Sequence, residues 1–419
     1  MLTSFNFSSI KRQVIGLIFR FGLVIWLWTF LFARVPLAAI QDLFGFESRP
    51  LLLLDCLSVG LALVAFSEFG WRPWKLFQAP VVRVAGLSFA FLWAFYSIRL
   101  GYDHWVLEID FVKPASTLLK HLLTSTLIPA LCLPWIVTLV SWGSTLPLLV
   151  GLGSISMFFG EMSFLFINGS DALMKVRFAF EDLNPIPAAY SSTSLVILSS
   201  LFLWSVFSKS YFSGRIFQLF LGLIGLLLGL FGMQLAMTKG AFMALIPLVI
   251  YIAACLWRRF RYVGFAAVLA VSGSGVMLMF GNMRRFLWAP QSVGDRFELI
   301  RQSISVWSEN WILGVGFRSQ GILDANPLTL TNQWYPHNFV AESLLLGGVI
   351  LAALVISFII SVSFSASFDV TSLVFTDSMQ VPLTFLWLQG FASALVSGHL
   401  ALIPGLWVGG LLVVLTRYQ

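Results

Sequence analysis

Charge is scarce in this chain. Of its 419 residues only 10% are Asp, Glu, Lys or Arg, against 59% hydrophobic, and the mean hydropathy is +0.92. That balance excludes a soluble globular domain and makes the chain an integral membrane protein. Cysteine is scarce too: Cys56, Cys132 and Cys255 all lie inside apolar stretches, so they suggest neither a disulfide framework nor a zinc site. There is no HExxH, CxxC or paired-Asp motif, no P-loop, no GxGxxG, no internal repeat and no low-complexity segment. The four histidines, His104, His121, His337 and His399, are not spaced as metal ligands. A chemistry without metal or cofactor is the simpler expectation. The net charge of +7 is read through loop topology, and no nucleic-acid partner is expected.

What is abundant is long apolar runs. Windows of about 20 residues predict roughly twelve spans, centred near residues 23, 59, 90, 127, 157, 200, 226, 249, 272, 353, 389 and 408. The run from Val14 to Ala33 exceeds a signal-peptide core and is read as a retained first helix. The whole chain, 1–419, is expected to form one polytopic domain. With the N-terminus inside, Lys11 and Arg12, Arg72 and Lys75, Lys209 and Arg215, Arg258, Arg259 and Arg261, and Arg417 all fall on the cytoplasmic side. An even number of spans then leaves both ends in the cytoplasm. The region 117–167 is the ambiguous part, because Pro129 and Pro134 interrupt one apolar run.

The largest hydrophilic stretch is residues 282–341, on the outer side. Its length marks it as functional or disordered, and its tryptophans and regular apolar positions argue against disorder. Within it LIRQSISVW places Leu299, Ile300, Ile304 and Val306 as the apolar face of an amphipathic helix. Arg284, Arg285, Arg296, Arg301 and Arg318 stand there against Asp295, Glu298, Glu309 and Asp324, contrary to the positive-inside bias. Guanidinium forks onto paired oxygens, so such a cluster suits phosphate or pyrophosphate; contacts to lipid headgroups or the nearby acids are the plain alternative.

The segment QWYPHNFVAESLLLGG puts His337, Asn338 and Glu342 just before an apolar run. Imidazole at the mouth of a helical bundle can take a proton from a hydroxyl, whereas the competing reading is an interfacial histidine in an aromatic belt with Trp334 and Tyr335. Glu342 also fits as a helix N-terminal acid. His104, His121 and His399 carry less information. A second outer stretch, KVRFAFEDLNPIPAAY, offers Arg177, Glu181 and Asn184 as ligands for sugar hydroxyls, or is a solvated loop, and Tyr335 is a further candidate sugar contact. Lys239 in MTKGAF sits at the membrane boundary, directed at headgroups or at a central cavity. GLGSIS at 151 reads as small residues for helix packing.

Three pieces together, MTKGAFMAL, GDRFELIRQSISVWSENWILGVGF and YPHNFVAESLLLGGVI, resemble the O-antigen ligase and Wzy-type O-antigen polymerase superfamily over about residues 230–350. The resemblance implies a GT-C-like glycosyltransferase bundle in the bacterial inner membrane with its active site facing the periplasm. It implies a metal-independent, inverting transfer from an undecaprenyl-pyrophosphate-linked glycan. His337 matches the histidine proposed to activate the acceptor hydroxyl, with Asn338 or Glu342 orienting it. Arg296 matches the arginine expected to hold the pyrophosphate. The third basic position, usually arginine, falls on Lys239, with Arg284, Arg285 and Arg301 as further candidates for that charge. The implied partners are the lipid-linked donor, a glycan or lipid A-core acceptor, membrane lipids and a chain-length regulator. Polymerisation of lipid-linked repeat units is the preferred reading and ligation to lipid A-core its alternative. A flippase for lipid-linked glycans would carry its charges in broken helices near the midplane, rather than at one outer face.

Overall fold

In lipid an apolar run must satisfy its own backbone groups, and the helix is the way a single segment does so. The computed structural model describes residues 18, 21–45, 50–109, 114–139, 142–169, 177–180, 183, 185–208, 215–236, 238–259, 289–324, 335–366, 379–396 and 399–419. Among them there is no strand, only an isolated bridge between Phe180 and Leu183. The helices are α1 (Phe21–Leu31), α2 (Arg34–Phe44), α3 (Pro50–Phe69), α4 (Pro80–Gly101), α5 (Ala115–Leu122), α6 (Ile128–Ile136), α7 (Trp142–Asn168), α8 (Pro185–Ser208), α9 (Arg215–Ala236), α10 (Lys239–Met243), α11 (Ile246–Arg259), α12 (Ala289–Glu309), α13 (Ser319–Asp324), α14 (Phe339–Ser365), α15 (Gln380–Val396) and α16 (Pro404–Arg417). π-helical turns extend α4 through Tyr102–Val106 and join α5 to α6 through Leu123–Leu127.

The described residues hold seven helices long and apolar enough to cross a membrane, with α1 and α2 an eighth if that pair, bent by 62°, is one span. Not all of the twelve expected spans are among them. The apolar part of α11, Ile246–Cys255, and all of α15 and α16 are apolar but shorter, and the span expected near 272 lies outside the described residues. The other expected centres each fall within an apolar helix, and the ambiguous 117–167 region resolves into two spans, Ala115–Ile136 and Thr145–Asn168. The chain is a multi-pass membrane protein.

Small residues bring the helices together. Gly222, Gly225, Gly229 and Gly232 recur along one face of α9 and are all buried, where α9 packs along α8. A Cβ at Gly229 would stand 2.7 Å from Val196 Cγ2 and 2.9 Å from the Ser192 carbonyl, so only glycine allows this approach. Gly153 of the GLGSIS stretch faces Phe32 and Leu195 in the same way. At one end of the bundle Trp71, Trp74, Trp135 and Phe66 form a ring cluster beside Arg72 and Lys75, as at a membrane–water boundary. In the core Trp407 of α16 meets Trp93 of α4 edge-on at 5.4 Å.

The hydrophilic segment before α14 is threaded into the helices. At Gly348, φ 61° and ψ −152° break α14. The groups freed by the break bond to that segment: Val349 N–H donates to the Trp311 carbonyl at 3.0 Å, and Val315 N–H donates to the Leu345 carbonyl at 2.8 Å. Gly314 and Gly316 adopt φ of 65° and 71°, and a Cβ at Gly314 would meet the Leu345 carbonyl and the Gly348 N–H. One residue on, Phe317 N–H donates to Asp103 Oδ2 at 2.7 Å, and the Asp103 carboxylate is also held by Arg99 Nε at 3.0 Å. Asp103, on the π-turn of α4, is completely buried, and Tyr96 packs edge-on to Phe317 at 5.2 Å. This docking fixes α12, whose Leu299 is buried with Val315, Leu323 and Leu345 while Ile304 faces outward at 48% exposure. The expected amphipathic helix is present, but Leu299 and Ile304 lie on different faces of it.

Gly314→Ala is expected to lower the thermal midpoint of the detergent-solubilised protein by an amount corresponding to about 1–3 kcal/mol, the usual cost of left-handed backbone at a residue with Cβ. Gly294→Ala, in open space on α12, should leave the midpoint unchanged or raise it. Equal midpoints for the two variants would mean that the segment is not docked in the break.

Candidate functional site

The sequence Tyr-Pro-His-Asn turns sharply into α14. Pro336 is buried and holds Tyr335 away from helical geometry, and His337 takes φ 54°, a left-handed conformation uncommon for a residue with Cβ. Asn338 is the N-cap: its side-chain oxygen accepts from the N–H groups of Val340 and Ala341 at 3.0 and 3.1 Å. Its amide nitrogen donates to the Leu395 carbonyl at 3.1 Å, and the Arg296 guanidinium donates through Nη1 to the next carbonyl, Val396. Two side chains from different elements thus close the C-terminus of α15, where unpaired carbonyls favour a cation. One guanidinium nitrogen of Arg296, expected to hold the pyrophosphate, is used in this contact.

One turn into α14, the Glu342 carboxylate is buried. Oε1 lies 2.9 Å from His399 Nε2, and Oε2 accepts the Leu400 N–H at 2.7 Å. His399 Nδ1 accepts the Ala401 N–H at 3.2 Å, which leaves the ring proton on Nε2, facing Glu342. Glu342 is thus engaged by His399 and the Leu400 N–H, and Asn338 by the helix cap. Tyr335 touches both imidazoles, with ring centroids 4.2 Å from His337 and 5.5 Å from His399. Burial pushes the Tyr335 phenol far above its ordinary range, with Glu342 and Tyr190 adding to the effect and Arg296 opposing it. The phenol therefore stays protonated.

Beneath this cluster lies a cavity of about 290 Å³ whose wall is mostly apolar. Tyr335 and His399 line it, with Arg34, Tyr190 and Gln389 as the other large polar side chains, and Leu27, Phe30, Leu383, Leu386 and Leu412 among its apolar ones.

The remaining sequence candidates are placed as follows. Arg301 is 83% exposed in its side chain and reaches only Glu298, at 3.9 Å. Arg177 is exposed and donates through Nε to the Ala236 carbonyl at 3.2 Å, at the C-terminus of α9. Neither lines the cavity. Lys239 opens α10, but its side chain lies outside the described residues, as do Arg284, Arg285, Glu181 and Asn184 altogether. Sequence reasoning missed His399 and Arg34. His399 was legible as a histidine wedged between two apolar helices in SGHLALIPG, and Arg34 only as an arginine that closes the first apolar run.

Residues 224–356 match the family model described as O-antigen ligase. No curated protein matches the chain. The matched segment contains Lys239, Arg296, the docked Gly314–Phe317 segment, Tyr335, His337, Asn338 and Glu342. Other cavity-lining residues lie outside the matched segment: Arg34 precedes it by a long way in sequence, and His399 follows it.

Removing either partner of the buried pair leaves the other uncompensated. Glu342→Ala and His399→Ala are each expected to cost about 3–5 kcal/mol. Because the residues share one contact, the double variant should lose less than the sum of the two. Thermal unfolding in detergent measures this, and strictly additive losses would mean that the pair does not couple the helices.

Proposed function

We propose that this protein is a membrane glycosyltransferase of the inner membrane that polymerises undecaprenyl-pyrophosphate-linked repeat units at the periplasmic face. The observation that carries this reading is the cluster around Tyr335 and His399, which line an apolar-walled cavity: His337 stacks near Tyr335, Glu342 pairs with His399, and Arg296 lies close enough to Tyr335 to act on its phenol. An acceptor sugar arrives from water and a donor from lipid, and this is a place where the two can meet.

In the proposed reaction the acceptor hydroxyl oxygen bonds to the anomeric carbon of the donor glycan as the bond from that carbon to the pyrophosphate oxygen breaks. The electron pair leaves with the polyprenyl pyrophosphate. His337 takes the hydroxyl proton. The guanidinium nitrogens of Arg296 that are not bonded to Val396 stabilise charge building on the leaving group. The protonated Tyr335 phenol, near both Arg296 and Glu342, donates a hydrogen bond to a sugar or phosphate oxygen. A single displacement inverts the anomeric centre, and no step is assigned to a cofactor. A second reading, ligation of the glycan to lipid A-core, is favoured by the description of the matched family as O-antigen ligase; the two differ in acceptor and share the donor site.

Purified protein given a synthetic undecaprenyl-pyrophosphate oligosaccharide in EDTA is expected to lengthen it. His337→Ala should slow transfer by about 10²–10⁴-fold, and Arg296→Ala by about 10²–10³-fold. Product only when lipid A-core is added identifies a ligase. No transfer to either acceptor overturns the glycosyltransferase reading.

A further inference from the structure

The cavity wall contains one cation that the sequence did not single out and that lies outside the matched domain. Arg34 begins α2, directly after the 62° bend from α1, and is half-buried in the cavity wall. The neighbouring polar groups of the wall bond to the protein itself. Ser191 Oγ donates to the Leu31 carbonyl at 2.6 Å, Ser194 Oγ to Gln389 Oε1 at 2.9 Å, and Gln389 Nε2 to the Tyr190 carbonyl at 2.7 Å. His399 is held by Glu342. Arg34 makes no hydrogen bond or ion pair with any described residue. A guanidinium withdrawn from water beside Leu27, Phe30 and Leu31, with no carboxylate of the described residues to meet it, is costly to hold unless an anion completes it.

The remainder of the wall indicates what kind of anion. Leu383 and Leu386 of α15 and Leu412 of α16 extend the cavity away from the polar cluster along apolar helix surfaces. A free phosphate ion has no use for such a wall, whereas a phosphate carried on a hydrocarbon chain covers both parts. Gly409 of α16 lines the same wall, and a Cβ there would have only Trp387 Cα nearby, at 3.9 Å, so its glycine leaves room.

We propose that this cavity is a lipid-phosphate site in which Arg34 binds the phosphate of a polyprenyl pyrophosphate and the walls of α1, α15 and α16 bind the first part of its chain. The site lies next to Tyr335 and His399. It therefore deepens the glycosyl-transfer reading on which it rests, adding a phosphate cation contributed by the N-terminal helices. Guanidinium suits the role because it stays charged and forks onto phosphate oxygens.

The test is binding of undecaprenyl pyrophosphate to the full chain in nanodiscs, with undecaprenol, inorganic pyrophosphate and phosphatidylglycerol as comparison ligands. Arg34→Ala is expected to weaken undecaprenyl pyrophosphate at least tenfold while leaving the weaker binding of undecaprenol unchanged; Arg34→Lys should retain part of the affinity. Gly409→Phe, which fills the wall, should weaken both polyprenyl ligands. The site is overturned if Arg34→Ala binds undecaprenyl pyrophosphate as wild type does. It is equally overturned if inorganic pyrophosphate binds as tightly as the lipid, or if phosphatidylglycerol displaces it at equal concentration. Wild type that binds the lipid through Arg34 but transfers no glycan would remove the glycosyltransferase reading and keep this site. Wild type that transfers glycan, with Arg34→Ala unchanged in KM and binding, would do the reverse.

Discussion

The Glu342 carboxylate is the contact on which the arrangement of the site depends. It sits in the first turn of α14, yet both of its oxygens face residues that follow α15: the His399 ring and the Leu400 N–H. Three consecutive elements, α14, α15 and the turn into α16, are therefore tied at one point. The surrounding contacts repeat the tie from other directions, since Asn338 and Arg296 both donate to the last carbonyls of α15. A helix C-terminus buried without such donors would be unstable, and here two side chains with other candidate roles serve as its cap. The same residues that form the site also hold it closed against its neighbours.

A division of labour follows between the two imidazoles. His399 is buried, with both nitrogens facing named partners, while His337 is half-buried on a left-handed backbone outside the helix it introduces. Tyr335 bridges the two rings, so a movement of either histidine is transmitted to the phenol. Arg296 serves both α15 and the site, which links the position of α12 to the electrostatics around Tyr335.

Much of this was legible in the sequence because membrane spans are read from composition over about 20 residues, a signal that needs no knowledge of partners. The helices around 59, 90, 157, 200, 226 and 353 were found in that way, and the His-Asn turn before α14 stood out by its polarity. The partners themselves were not legible. Glu342 and His399 are separated by the rest of α14 and all of α15, and neither flanking sequence carries a mark of the other. Arg34 was passed over because it closes an apolar run, where a lone arginine looks like an ordinary boundary residue. The break in α14 was equally hidden: Gly347 and Gly348 suggest close packing, and only the Trp311 carbonyl in space shows that Gly348 turns the chain.

That break has a consequence for how the protein is made. The groups that complete it, Trp311 and Val315, are synthesised before the helix they complete, and Asp103, which anchors Phe317, is synthesised earlier still. As α14 enters the bilayer, the backbone donor and acceptor left open at its break already have their partners waiting in chain already synthesised. The backbone at this break is therefore completed by chain that precedes it, and no later element is needed for it.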